Sequence, residues 1–253
     1  MISKKLVFSA MTIPLAIMCH NSSEWQGRRK NEKTNEIERR TKRLNEEAQD
    51  LTPVDGKFAF NGMTPEEIEE KFGFRRVKIK GLMDFDNEVR VDTVYKGEKG
   101  QIICTPLYTH VNENKEACGI MVNRGFLTKD FDTFQKHRFA DSNGYFEGII
   151  YTGDKMSKYD MAPNTPISNS WSKVIPYDLA LHSHLKNRED SGVAMLMLVE
   201  FDENMQQPQP SAPTVNELKK WKNMPERHTA YQVFWKYATY LNLFANAMFW
   251  LYF

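Results

Sequence analysis

The segment that most constrains this chain is residues 230–253, AYQVFWKYATYLNLFANAMFWLYF. About 20 mostly apolar residues are enough for a helix to cross a bilayer, and this run is long enough and dense in Trp, Tyr and Phe. It follows Pro225-Glu226-Arg227-His228-Thr229, which places a histidine at the mouth of the expected helix, a natural place for a cofactor or partner contact. A second apolar run, residues 6–19, stands behind Lys4 and Lys5. With both ends apolar, the working domain falls between them.

Three readings compete for the first run. A basic start followed by a short apolar stretch fits a cleaved signal peptide. A lipoprotein signal fits poorly, because Met18 precedes Cys19. An uncleaved helix reaching about Trp25 is the third reading, although the run is short and contains Pro14. We expect the retained anchor, because a charged helical pattern continues from Trp25 through Arg28, Arg29 and Lys30 to about Gln49.

The middle of the chain reads as strands. Thr64-Pro65-Glu66-Glu67 opens a short helix with a capping box and a proline at its first position. Residues 75–81 alternate, with Val77 and Ile79 on one face. Residues 88–94, 101–107, 119–123, 145–153 and 193–201 are further strands, with Pro106 favouring an edge or an end. A helix is expected around residues 177–186 and a proline-rich linker over 206–213. Several strands at short spacing without βαβ alternation predict an antiparallel sheet or small barrel. The expected fold class is therefore an α+β membrane protein, with a β-rich antiparallel sheet or small-barrel domain inserted between two transmembrane helices. Its divisions are an anchor (1–25), a charged helix and linker (26–62), the β-rich domain (63–205), a linker (206–227) and the second membrane helix (228–253).

Chemistry is sparse. A net charge of +1 over 253 residues gives no support for nucleic-acid binding. The cysteines Cys19, Cys104 and Cys118 form no CxxC, and two separate buried thiols are favoured over a Cys104–Cys118 bridge across a hairpin. The sequence carries no dinucleotide, P-loop, zinc-protease or hydrolase signature, so no enzyme activity and no catalytic residue are expected. His182 and His184 would converge on a metal from a strand, but on the expected helix they point apart. Asn21-Ser22-Ser23 is a glycosylation sequon that matters only in a secretory compartment.

Gly119-Ile120-Met121-Val122-Asn123-Arg124-Gly125-Phe126 resembles the VNRG(F/W) motif of the Surfeit locus protein 1 family, membrane proteins needed for cytochrome c oxidase assembly. Other matches follow in order. Trp25-Gln26-Gly27-Arg28-Arg29-Lys30 is similar to the family's WQ..RRK at the end of its first membrane helix. The strand from Phe74 to Gly81, the strand from Ile102 to Leu107 ending in Thr-Pro, the segment from Asn164 to Trp171, and Glu226-Arg227-His228-Thr229-Ala230-Tyr231 also resemble family segments. The resemblance spans nearly the whole chain.

It implies a two-pass protein of the mitochondrial inner membrane with its main domain in the intermembrane space. The implied partners are cytochrome c oxidase subunits and membrane lipid. Haem a is the implied cofactor, with His228 as ligand and Tyr231 and Trp235 as sheathing aromatics; an imidazole at the membrane edge suits iron. The plainer readings are an interfacial histidine and an aromatic belt. Asn123 and Gly125 suit a tight turn. Arg124 is the functional candidate, for a propionate, a lipid headgroup or an acidic partner, against a local salt bridge. Trp25 and Trp171 read as interface and core aromatics.

The chain also departs from the family. Glu226 stands where Asn is common, and Lys236, Asn242 and Asn246 lie inside the second apolar segment. Lys219, Lys220, Lys222 and Arg227 precede that segment against the positive-inside rule, so orientation rests on the resemblance and on Lys4 and Lys5. Three functions compete: a transient assembly factor acting in haem a insertion, a retained accessory subunit without cofactor, and a secreted binding domain with a cleaved signal.

Overall fold

A computed structural model of the chain describes residues 3–128, 144–155, 163–201, 210–221 and 224–252. In chain order the elements are α1 (Lys4–Asn45), β1 (Gln49–Asp50), α2 (Pro65–Phe72), β2 (Arg76–Lys80), β3 (Leu82–Met83), β4 (Val89–Tyr95), β5 (Glu98–Val111), β6 (Ala117–Thr128), β7 (Tyr145–Tyr151), α3 (Pro176–His182), α4 (Arg188–Ser191), β8 (Met195–Leu198), α5 (Val215–Lys220) and α6 (Pro225–Tyr252), with one 3-10 turn at Pro166–Ser168. They form two compact units, Met1–Thr41 with Lys219–Phe253, and Lys42–Leu218.

The second unit is an eight-stranded sheet in the order β1-β2-β7-β8-β6-β5-β3, with β4 also on β5. It curls as a half-barrel. The expected antiparallel sheet is corrected to a mixed one, because β1 pairs β2 and β6 pairs β8 in parallel. Alternation along the strands feeds two cores. Ile120 and Val122 of β6 join Val77, Ile79 and Leu196 on one face, beneath Ile68 and Phe72 of α2. Met121 faces the other way and packs with Val91, Met195 and Leu179 of α3. Both faces are therefore covered, which is why β6 and β8 read as apolar runs.

Local signals account for several boundaries. Thr64 accepts from the Glu67 amide, and the Glu67 carboxylate accepts from the Thr64 amide, completing the expected capping box. At the other end of α2, Arg43 donates to the carbonyls of Glu70 and Gly73. β4 and β5 are joined by Lys96-Gly97, both at positive φ, the geometry that two-residue hairpins favour.

Pro106 lies in the middle of β5, not at an end. Its carbonyl accepts from the Asp84 amide, one residue beyond the end of the β3 pairing and short of where β4 pairing stops at Cys104. Having no N–H, proline cannot return that bond, and the β3 ladder ends there. Cys104 and Cys118 are buried free thiols in neighbouring strands, opposite Asn123 and His110 respectively; burial pushes both thiols up. Residues 206–209 of the expected linker lie outside the described residues.

The first unit pairs α1 with α6. Among the described residues one helix, α1, is long and apolar enough to cross a membrane by length and composition. The 28-residue α6 does not reach that mark, because Gln232, Lys236, Asn242, Asn246 and its Tyr and Trp rings weigh against it.

Candidate functional site

The helix pair is built around polar side chains. Lys5 donates to the Trp250 carbonyl, Asn246 donates to Ser9 and Thr12, Ser23 donates to the Gln232 carbonyl, and Arg40 donates to the Trp221 carbonyl. Low numbers meet high ones throughout, so the helices are antiparallel. On α1 the seam is Ser9, Thr12, Ala16, Cys19, Ser23 and Gln26, with the last four buried. On α6 the half-buried positions 228, 232, 235, 239, 242, 246 and 249 repeat at alternating spacings of four and three. That is the spacing of one helix face meeting a partner. Phe8 stacks on Phe249 with ring centroids 4.4 Å apart. Gly27 lets Gln232 approach, since a Cβ there would lie 2.7 Å from the Gln232 Nε2.

His228 lies on this seam. Its Nδ1 is 2.7 Å from the Gln26 Oε1. An amide oxygen only accepts, so Nδ1 carries the proton and donates. In a neutral imidazole the other nitrogen, Nε2, then holds the lone pair that a metal takes. Trp235 and Tyr231 follow at i+7 and i+3, about 20° and 60° round the helix from His228. Trp235 is half-buried with Phe234 packed on it edge-on, and Tyr231 is exposed. An imidazole whose Nε2 is the acceptor nitrogen, with two rings nearby on the helix, is a set that could hold a haem iron. Trp25 is exposed and lines a shallow groove with Pro14, Ile17, Met18, Asn21 and Ser22. Arg28 is exposed and Arg29 pairs with Glu32 at 2.5 Å.

The Asn123-Arg124-Gly125 motif is in the other unit and is a strand feature. Ile103 pairs with Gly125 and Cys104 with Asn123, so Arg124 is the extra residue of a β-bulge in β6. The expected tight turn is corrected accordingly. The Asn123 side chain accepts from the Gly125 amide, fixing the bulge. Gly125 has φ +117°, and a Cβ there would sit 2.3 Å from the Ser211 carbonyl oxygen, where Ser211 and Phe126 exchange backbone hydrogen bonds.

Arg124 is fully buried, bonded to Glu88 at 3.1 Å and stacked over Phe85. Glu88 also pairs with Arg90. Burial pulls the Arg124 guanidinium below its ordinary range, against the Glu88 charge. The expectation that Arg124 reaches a propionate, a headgroup or a partner surface is therefore corrected: the local salt bridge holds it.

Trp171 packs against the second core, meets His182 edge-on and donates to Asn169. His182 Nδ1 also sits 2.8 Å from the Pro166 carbonyl. Asn164 organises this loop, accepting from the amides of Ser172 and Lys173 and donating to the Lys173 carbonyl and to Asp178. Sequence reading quoted Gln26 and Asn164 within motifs without giving them roles, and it missed Glu88. The heptad spacing shared by the two helices is the signal that pairs Gln26 with His228; nothing local marks Glu88.

With this geometry in place, the comparisons are brief. The SURF1 family model matches residues 14–237, which takes in Trp25, the β6 bulge, Trp171 and His228. No curated protein matches the chain.

Proposed function

The chain belongs to the SURF1 family, a membrane-associated family connected with cytochrome c oxidase assembly, and we propose that it works in oxidase biogenesis by handling haem a for insertion. In this reading α1 and α6 are both membrane spans of the mitochondrial inner membrane, and Lys42–Leu218 is the intermembrane-space domain. Support for the second span comes from which face of α6 is polar. A water-soluble helix pair hides apolar residues and exposes polar ones. Here the seam holds Ser9, Thr12, Ser23, Gln26, Gln232 and Asn246, while Tyr231, Phe234, Tyr237, Leu241, Phe244 and Leu251 are exposed. Small and polar residues between helices, with apolar residues outside, suit lipid as the solvent.

The observation that carries the haem reading is the Nδ1 contact of His228 with Gln26, which leaves Nε2 as the acceptor nitrogen. His228 would take the iron of a haem a cargo, and Tyr231 and Trp235 would lie along the porphyrin. Protein-held haem of this kind keeps an oxidisable, poorly soluble group bound until it is delivered.

A second reading, a retained accessory subunit without cofactor, is favoured by Lys236. It is exposed on α6, where hydrocarbon disfavours an ammonium and a neighbouring subunit's helix would supply its partner. The stoichiometry of this chain in purified oxidase separates the two. Trace amounts concentrated in immature oxidase are expected of the assembly factor. One copy per active oxidase would overturn that role and establish the subunit.

A further inference from the structure

We propose that Gln26 is the positioning residue of His228, holding its ring in the single tautomer that presents Nε2 as a ligand. The inference deepens the haem reading above and rests on it for its purpose, but not for its geometry. Gln26 is 9% exposed, and its oxygen lies 2.7 Å from Nδ1. A glutamine amide buried in a helix seam costs free energy unless both of its ends are used or wetted. Its oxygen end is used by the histidine it meets.

The neighbouring contacts hold the pair in place. One turn before Gln26, Ser23 donates to the Gln232 carbonyl. One residue after it, Gly27 has no side chain to push Gln232 and α6 away. The Ser23 bond thus ties the two helices together within one turn of the pair. A Cβ at Gly27 would displace the end of the Gln232 side chain.

The chemistry follows from the imidazole. A neutral ring carries one proton, on Nδ1 or Nε2. An acceptor fixed at Nδ1 keeps the proton there, raises the basicity of the opposite nitrogen and stops the ring from turning. Partners of this type, one shell behind a metal-binding histidine, typically change metal affinity by about 10–100-fold when removed. The departure at Glu226 does not enter the pair, because Glu226 is exposed and makes no hydrogen bond to His228 among the described residues.

The test uses the full chain in lipid nanodiscs with 15N-labelled histidine, with His228→Ala assigning the His228 signals. In the wild type, the Nδ1 signal is expected in the protonated range and Nε2 in the unprotonated range. Gln26→Met keeps the volume but removes the acceptor, and the single-tautomer pattern should be lost. Gln26→Glu restores an oxygen acceptor and should restore the pattern. A wild-type ring protonated on Nε2, or a Gln26→Met ring unchanged from wild type, overturns the proposal. Because the first of these is read on the wild type, a variant that fails to fold does not shield the proposal. Titration with ferric haem then tests the purpose: Gln26→Met should bind about 10–100-fold more weakly than wild type, with Gln26→Glu recovering. If wild type binds no haem while the tautomer is as expected, the haem reading fails and the positioning role stands.

Discussion

Gly125 and Arg124 carry the two most specific demands at the scale of single residues. Gly125 combines φ +117° with a backbone oxygen 2.3 Å from where a Cβ would be. Gly125→Ala therefore meets both backbone strain and collision, and strain of this kind costs about 1–3 kcal/mol by itself. We expect a fall in melting temperature of roughly 5–10 °C in thermal denaturation of the sheet unit's near-ultraviolet signal; an unchanged midpoint would show that the bulge is dispensable. Arg124 sits beside it with no surface at all. Arg124→Met leaves Glu88 with Arg90 as its remaining ion-pair partner, so the loss should fall below the roughly 3–5 kcal/mol of a buried pair broken outright. Adding Glu88→Gln should return part of that loss, since a neutral amide is cheaper to bury. If Arg124→Met instead left stability intact and weakened only oxidase association, the motif would be a docking element after all.

The strands at the scale of elements were legible because burial on alternate sides writes itself into the sequence. Val77 and Ile79 announced β2, and the apolar run at 193–199 announced β8. The capping box of α2 was legible for the same reason, since Thr64 and Glu67 act within one turn. The two-residue strands β1 and β3 were not, because they are defined by partners elsewhere in the chain. Pro106 lies within the long β5 and not at its end, but on the side its ring nitrogen faces both the β3 and the β4 ladders have stopped. Arg124 left two readings open from sequence, and the acidic partner that gives it the local salt bridge lies 36 residues earlier, where no local pattern marks it.

In the helix hairpin the polar residues of the second apolar run divide: Lys236 is exposed, and the two asparagines are half-buried. Asn242 and Asn246 looked out of place in an apolar run, and both face the half-buried side of α6. Asn246 holds Ser9 and Thr12 together. Under the proposed membrane placement, where hydrogen bonds between helices average about 0.6 kcal/mol, Asn246→Leu should loosen the hairpin without unfolding it. The expected readout is a several-fold drop in cross-linking between cysteines placed at Phe8 and Phe249 in liposomes. Unchanged cross-linking would mean that packing of the rings alone sets the register.

At the scale of the whole molecule, a family match over residues 14–237 takes in parts of both units. One is a sheet sealed on both faces by apolar side chains. The other is a helix pair whose polar groups turn inward. The motif residues divide between them: Asn123, Arg124, Gly125 and Trp171 make their contacts inside the sheet unit, and His228 meets Gln26 in the helix pair, where the proposed haem role places its chemistry. The account stands or falls on that histidine. The most direct measurement is the haem a absorbance of cytochrome c oxidase in cells whose only copy of this protein is His228→Ala. The account predicts a several-fold loss of haem a signal while the variant is present in the membrane at its normal level. A normal haem a spectrum at that level would contradict it.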